Sequence, residues 1–158
     1  MSRLFHASLA ILAAVGAAVA ASAAAAPGAM MTPEQVIAAR QAGYDMSVMT
    51  MTEMKLAAAN GSDIKKQFYP ARVLGKWARV LPTMFPEGTG QGATAVETHA
   101  LPAVWTDRAT FEKDAAAYAA AADKLSELAQ AGDAAGFTAQ LGVVGKTCDT
   151  CHETFKAK

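Results

Sequence analysis

Apolar residues recur at helical spacing in four stretches of the chain, and local signals mark where each stretch begins. The first follows Thr32-Pro33-Glu34-Gln35, in which threonine is the N-cap, proline takes the first helical position and glutamine completes a capping box. The pattern predicts a helix to about Ala59, where Asn60-Gly61 provides a left-handed stop. Its apolar stripe consists of Ile37, Tyr44, Val48 and Met51.

The second stretch contains a proline within its helical pattern. Ser62 or Asp63 can cap this helix, and Pro70 lies inside it. Because proline lacks the backbone donor and crowds the preceding turn, we expect the helix either to kink or to begin at this residue. Pro82 and Pro86 end it. Its apolar positions are Ile64, Phe68, Val73, Leu74, Trp77 and Leu81.

Two further helices follow, with the apolar steps of three and four residues that are typical of a bundle seam. Thr106 or Asp107 caps the third helix. Gly132-Asp133 ends it and caps the fourth, which is expected to run to Lys158. The third seam contains Phe111, Ala115, Tyr118, Ala122, Leu125 and Ala129. The fourth contains Phe137, Leu141, Val144, Cys148, Cys151 and Phe155, so both cysteines are expected on the buried stripe.

These four helices predict an all-α fold, an antiparallel four-helix bundle. A long loop separates helices 2 and 3 over residues 84–105, which are rich in Gly, Thr and Pro and show no helical or alternating pattern. The absence of alternating apolar segments argues against a sheet.

The chain begins with an alanine-rich apolar segment in which Arg3 is the only charged residue. This is typical of a secretory signal peptide, predicted over residues 1–25 with cleavage between about 23 and 26. An N-terminal membrane anchor is the alternative, but the segment falls short of the ~20 strongly apolar residues that a span needs. We therefore expect residues 26–158 to form one exported, periplasmic domain with no membrane span after processing.

Charge and cysteine content exclude several classes of function. The sequence has 14 Lys plus Arg against 14 Asp plus Glu, and the basic residues form no run that could follow a phosphate backbone. Nucleic acid is therefore not an expected partner. The two cysteines, Cys148 and Cys151, are too few for a disulfide framework.

The sequence Cys148-Asp149-Thr150-Cys151-His152 is a C-x-x-C-H motif, the attachment signature of c-type haem. A separation of three residues places both sulfurs on one helix face, where they can bond to the two vinyl groups of one porphyrin. His152 follows directly and can bind the iron as the proximal axial ligand. The motif predicts that the domain carries one covalently attached haem c per chain.

Other interpretations of the motif compete with haem attachment. In an oxidising compartment the cysteines can form a disulfide, although a bundle of this size does not require one. A thioredoxin-like redox motif normally opens a helix after a strand, a setting that the pattern does not predict. A zinc site needs two further ligands, whereas His99 is the one additional histidine after the signal segment.

Residues 32–158 resemble cytochrome c′, the class II c-type cytochromes. The resemblance rests on the C-terminal haem motif and on three further segments: residues 40–44 (RQAGY), 85–89 (FPEGT) and 102–107 (PAVWTD). It implies an up-down-up-down bundle. It also implies a periplasmic, non-enzymatic haem protein whose five-coordinate, high-spin iron binds nitric oxide and carbon monoxide and can exchange electrons.

The resemblance assigns residues around the haem. It implies that Tyr44 covers the distal face without bonding the iron, with Arg40 and Gln41 beside it in the distal pocket. Arg40 is expected to pair with a haem propionate, because a buried charge needs a partner. Thr98 is expected near the haem edge. Lys156 is expected beside the proximal face, where relatives often carry an arginine.

Low-spin relatives of this class use a first-helix methionine as a sixth iron ligand. Here Tyr44 takes the matching position, so the first-helix methionines are expected to pack, in part in a homodimer formed through helices 1 and 2. These are Met46, Met49, Met51 and Met54. The alternative function is a six-coordinate, low-spin electron carrier for a periplasmic redox partner, with a methionine or His99 as ligand. A haem-free helical interaction module is the third hypothesis.

Overall fold

A computed structural model describes residues 30–158, so the predicted signal peptide lies outside the described residues. Two short 3-10 turns flank the second helix, over Ile64–Gln67 and Leu81–Met84. Within this part of the chain, no helix is both long enough and apolar enough to cross a membrane. The helices are α1 (Pro33–Ala59), α2 (Phe68–Val80), α3 (Ala103–Thr106), α4 (Arg108–Ala131) and α5 (Ala134–Phe155).

The helix ends follow the capping signals of the sequence. Thr32 Oγ1 accepts a hydrogen bond from the Gln35 N–H, and the Gln35 side chain accepts one from the Thr32 N–H. Gly132 ends α4 with a φ of 74°. The Asp133 carboxylate then accepts a hydrogen bond from the Gly136 N–H at 2.9 Å. These two boundaries are therefore encoded by local chemistry.

Pro70 stands in the first turn of α2, which begins at Phe68. The N–H groups of the first turn have no acceptor inside the helix, so the missing donor of proline breaks no helical hydrogen bond there. The predicted start near this proline is confirmed, and a kink is not required.

The four long helices pack as a bundle around a continuous apolar core. The predicted seam of α4 is buried throughout. Residues of α2 and α5 meet this seam, and Met51 and Met54 of α1 pack against the same core. The bundle core consists of Met51, Met54, Ile64, Ala71, Leu74, Ala78, Tyr118, Ala119, Ala121, Ala122, Leu125, Ala129, Phe137, Leu141 and Val144. The predicted all-α four-helix bundle is thus confirmed.

Two residues assigned to buried stripes are in fact on the surface: Val48 is 67% exposed and Val73 is 54% exposed. On α1 the buried side includes Arg40 and Gly43, and neither residue is part of the apolar stripe predicted from the sequence. The buried face is therefore rotated away from Val48.

The C-terminal part of the chain also departs from expectation. Helix α5 ends at Phe155 rather than Lys158, because Lys156 becomes extended and pairs with Ala100 of the long loop. The short helix α3 lies at the end of the predicted loop and was not expected. Cys148 and Cys151 are half-buried rather than buried.

Candidate functional site

Cys148 and Cys151 lie one turn apart on α5, and both are free thiols. Burial raises the pKa of Cys148, and Asp149 adds to the effect. Burial raises the pKa of Cys151 to about 11, with Asp114 contributing. Both thiols are therefore protonated at neutral pH. Redox-active C-x-x-C pairs have a lowered thiol pKa, so this environment does not support a thioredoxin-like site.

His152 follows in the last turn of α5 with an exposed side chain. Partial burial of the imidazole lowers its pKa, Lys156 lowers it further, and Asp149 opposes both. The neutral imidazole is thereby favoured, and this form has the lone pair that binds a metal ion.

Tyr44 lies on α1 and packs into the same apolar group of residues as Cys151. Its ring meets Trp77 of α2 edge to face, with the ring centroids 5.7 Å apart. Burial raises the pKa of the Tyr44 hydroxyl, and Cys151 adds to this, whereas Arg40 opposes it. The structure therefore brings a neutral phenol of α1 to the cysteine motif of α5. This group, called the aromatic cluster below, contains Tyr44, Trp77, Leu81, Met84, Phe85, Ala100, Ala103, Val104, Trp105, Phe111, Ala115, Cys151 and Phe155.

Gly43 permits the close approach of Trp77 to α1. A β-carbon at this position would lie 2.4 Å from the Trp77 ring, so the ring can keep its place only if residue 43 has no side chain. The Trp77 indole N–H is buried and has no hydrogen-bond partner among residues 30–158. The contact between these two residues fixes the position of the aromatic ring beside Tyr44.

Arg40 is 2% exposed, and oxygens of the long loop bind its guanidinium. Nη1 donates to Thr89 Oγ1 at 2.8 Å and to the Met84 carbonyl at 3.4 Å. Nη2 donates to the Thr89 carbonyl at 2.5 Å and to Thr98 Oγ1 at 2.7 Å. The guanidinium carbon lies 4.4 Å from the centre of the Phe85 ring. Burial lowers the pKa of Arg40, and in the described part of the chain it forms no salt bridge with a carboxylate.

The remaining predicted site residues lie along the loop and the chain end. Gln41 is exposed, and its Nε2 donates to the Glu97 carbonyl at 2.8 Å. It therefore binds the loop rather than entering the aromatic cluster with Tyr44. The side chains of His99 and Lys156 are exposed.

Two residues gain a role that the sequence did not indicate. Tyr118, assigned only to a bundle seam, lies near the cysteine motif. Burial raises its pKa to about 12, the neighbouring Ser47 opposes the shift, and Cys148 adds to it. Thr89 is fully buried and binds Arg40 through both its hydroxyl and its carbonyl. No local pattern distinguishes either residue, because each contact joins distant parts of the chain.

These groups fit a covalently attached haem. The motif offers two protonated thiols and an imidazole in the adjoining turn, and the aromatic cluster offers apolar surface for a porphyrin. Arg40 already donates four hydrogen bonds to oxygens of the long loop, so its pairing with a propionate stays a prediction. Within the described residues, no three His, Cys, Asp or Glu side chains converge.

Comparisons of the chain with a family model, with relatives and with solved structures all identify the same family. The family model described as Cytochrome C′ matches residues 35–156. Cytochrome c′ of Pararhodospirillum photometricum is 43% identical over 76 residues, which cover 48% of this chain and 58% of that protein. The chain thus spans little more than half the length of this relative.

Solved structures match over a longer part of the chain. A cytochrome c′ with a ligand-controlled dimer dissociation is 28% identical, with a TM-score of 0.77, and the match covers 82% of this chain and 100% of that chain. A mutant cytochrome c prime from Alcaligenes xylosoxidans, in complex with nitric oxide, is 26% identical. Its TM-score is 0.72, and the match covers 82% of this chain and 99% of that chain.

Proposed function

The chain belongs to the cytochrome c′ family, and we propose that it is an exported c-type haem protein with an open iron site for small diatomic gases. Cys148 and Cys151 would hold the haem through thioether bonds, and His152 would bind the iron on the proximal side. The observation that carries this proposal is that Tyr44 of α1 and Cys151 of α5 belong to the same aromatic cluster. The family consists of non-enzymatic haem proteins that carry covalent haem c.

Tyr44 is the residue that would control access to the iron. Its neutral phenol and apolar neighbours disfavour water and anions, whereas a neutral diatomic molecule can enter by displacing the ring. Trp77 supports the ring from the side. The bound haem would supply an iron that takes up nitric oxide or carbon monoxide and alternates between the ferric and ferrous states.

The low-spin alternative requires a sixth ligand from the protein, and neither His99 nor any methionine of α1 belongs to the aromatic cluster that contains Cys151. Met46 and Met49 are 60% and 71% exposed. Met51 and Met54 belong to the bundle core and not to the aromatic cluster that contains Cys151. The side chain of His99 is exposed. This placement favours an open site over the electron carrier with six-coordinate iron.

Carbon monoxide association tests the role of Tyr44. In the haem-loaded ferrous protein, we expect Tyr44→Ala to bind the gas faster than the wild type after flash photolysis, because the ring no longer has to be displaced. Tyr44→Phe is the matched control, since it keeps the ring and removes only the hydroxyl, and its rate is expected to stay near that of the wild type. An unchanged rate in Tyr44→Ala contradicts the proposed gate.

Mass spectrometry of the denatured protein tests haem attachment. We expect the haem to remain on the polypeptide, on the peptide that contains Cys148 and Cys151. The Cys148→Ala variant is expected to keep one thioether bond, which the pyridine haemochrome spectrum distinguishes from two. Haem that separates completely from the wild-type chain on denaturation contradicts the assignment. The same spectra give the mature N-terminus, expected between about residues 23 and 26.

We also propose a homodimer through α1 and α2, because apolar side chains remain exposed on both helices. On α2 they form a stripe at helical spacing, Tyr69, Val73 and Val80. On α1 the exposed apolar residues are Met46, Val48, Met49 and Leu56.

Sedimentation of two valine variants tests this dimer. Val73→Glu places a charge on the exposed stripe of α2 and is expected to give monomers. Val143→Glu is the matched control, because Val143 is 50% exposed on α5, and it should leave the dimer intact. Equal dimer formation by both variants contradicts an interface on this face.

A further inference from the structure

A segment near the end of the long loop is anchored to α1. We call residues 98–101 the strap. At its beginning, Thr98 is 6% exposed and its Oγ1 accepts the hydrogen bond from Arg40 Nη2 at 2.7 Å. Gln41 adds a second bond from α1 to the adjacent Glu97 carbonyl. Arg40 is four residues from Tyr44, so this anchor lies one helical turn from the residue proposed to cover the iron.

The other side of the strap is anchored to the end of α5. The Ala157 N–H donates to the His99 carbonyl at 2.8 Å, and the Leu101 N–H donates to the Phe155 carbonyl at 3.0 Å. Ala100 and Lys156 form an antiparallel bridge between these two bonds. Lys156, the bridge residue of the chain end, lies four residues after His152. The hydrogen bonds that hold the strap thus also hold the turn that carries this histidine.

We propose that the strap couples α1 to the proximal end of α5, so that Arg40 and Thr98 act as positioning residues for His152. This inference rests on the proposed function, in which His152 binds the iron. The α1 anchor at Thr98 and the α5 anchor at His99 are consecutive residues, whose α-carbons are held about 3.8 Å apart by the peptide bond. A shift at one anchor therefore displaces the other.

The chemistry of the α1 anchor makes this coupling rigid. The guanidinium of Arg40 is planar, and its Nη atoms bind oxygens on both Thr89 and Thr98. A fixed donor geometry transmits a displacement better than a single flexible bond does. Because the guanidinium and both threonines are buried, water does not readily replace these bonds. A displacement of α1 at Arg40 is thereby passed to the end of α5 that carries His152.

Hydrogen exchange in the haem-loaded protein tests the coupling. Thr98→Val keeps the side-chain shape and removes the acceptor for Arg40 and for the Ala100 N–H. We expect the Leu101 and Ala157 amides to exchange at least about tenfold faster, the lower limit of the factor that corresponds to losing a hydrogen bond from a charged donor. The Val144 amide in the bundle core is expected to be unaffected. Thr52→Val on α1 is the matched control, since Thr52 Oγ1 donates only within its own helix, to the Val48 carbonyl.

A spectroscopic measurement separates positioning from simple loosening. In the ferrous protein, Thr98→Val should shift the iron–histidine stretching frequency, and Thr98→Ser should restore it, whereas Thr52→Val should leave it unchanged. Unchanged exchange at Leu101 and Ala157, or an unshifted stretch in Thr98→Val, overturns the proposal.

A variant at the other anchor covers the case in which Thr98→Val does not fold. Ala157→Pro removes the donor to the His99 carbonyl and is expected to speed exchange of the Ala100 amide, which donates to Thr98 Oγ1 at 3.3 Å. Unchanged exchange at Ala100 overturns the coupling. Absence of covalent haem in the wild type contradicts the proposed function instead, and the haemochrome spectrum detects it independently of amide exchange.

Discussion

Replacing Gly43 by alanine tests whether the close packing of Trp77 on α1 maintains the distal side of the site. The new β-carbon would lie 2.4, 2.6 and 2.7 Å from three atoms of the Trp77 ring. Carbon atoms in favourable contact are about 3.5 to 4.0 Å apart, so the ring has to move by about 1 Å. Because Tyr44 rests on this ring, its position is expected to change as well.

Two opposing contributions to the free energy of unfolding set the stability of Gly43→Ala. Overpacking of a well-filled interior costs about 1–3 kcal/mol. Alanine gains roughly 1 kcal/mol over glycine within a helix. Comparison with a control substitution cancels the gain from alanine. Gly142→Ala on α5 adds the same methyl group at a position where no neighbouring residue lies within 4 Å. The difference in unfolding free energy between the two variants is then about 1–3 kcal/mol, with Gly43→Ala the less stable.

Urea unfolding of the haem-loaded protein measures this difference, and carbon monoxide association reports on Tyr44. We expect Gly142→Ala to be as stable as the wild type or more stable, and Gly43→Ala to be less stable. Adding Trp77→Leu to Gly43→Ala should abolish most of the overpacking cost, because the clashing ring is gone. If Gly43→Ala and Gly142→Ala have equal stability, the reasoning about Trp77 is refuted.

Two further predictions concern buried polar groups. Arg40→Met keeps a long side chain but leaves oxygens of Thr89 and Thr98 without their donor, so urea unfolding should show a loss of roughly 2–4 kcal/mol. Arg72→Met, at an exposed position, should change stability by less than about 0.5 kcal/mol. Equal effects of the two substitutions contradict a stabilising role for the hydrogen bonds of Arg40. Burial raises the Tyr118 pKa from 10.0 to about 12, so the folded state retains its proton more tightly than the unfolded state. The stability that the protonated Tyr118 hydroxyl gives to the folded state is complete below pH 10 and is lost as the pH rises toward 12. Tyr118→Phe should therefore lessen the alkaline loss of stability by roughly 2 kcal/mol, and an unchanged pH profile contradicts the burial of this hydroxyl.

Helix boundaries that depend on neighbouring residues were predictable from the sequence. The capping box at Thr32, the left-handed Gly132 and the Asp133 cap each act within one turn of the helix that they limit. The seam of α4 was predictable because its burial follows the helical period. The C-x-x-C-H motif could be assigned a chemistry because its spacing already fixes the sulfurs on one face.

Features that depend on distant residues were not predictable. Helix α5 ends at Phe155 because Lys156 pairs with Ala100, more than fifty positions earlier in the chain. Arg40 was expected to pair with a propionate. The sequence did not reveal that its guanidinium donates four hydrogen bonds to oxygens of Met84, Thr89 and Thr98. A search for apolar positions does not identify a buried cation. For the same reason it placed the buried face of α1 on the side of Val48, which is exposed.

An absorption spectrum of the matured protein, recorded oxidised, reduced and reduced with carbon monoxide, tests the central claim most directly. The claim is that haem held by the α5 motif has an open sixth position behind Tyr44. We predict a broad, high-spin spectrum in the reduced state that sharpens when the gas is added. Sharp low-spin bands that do not respond to carbon monoxide would contradict the account, since they require a sixth ligand from the protein.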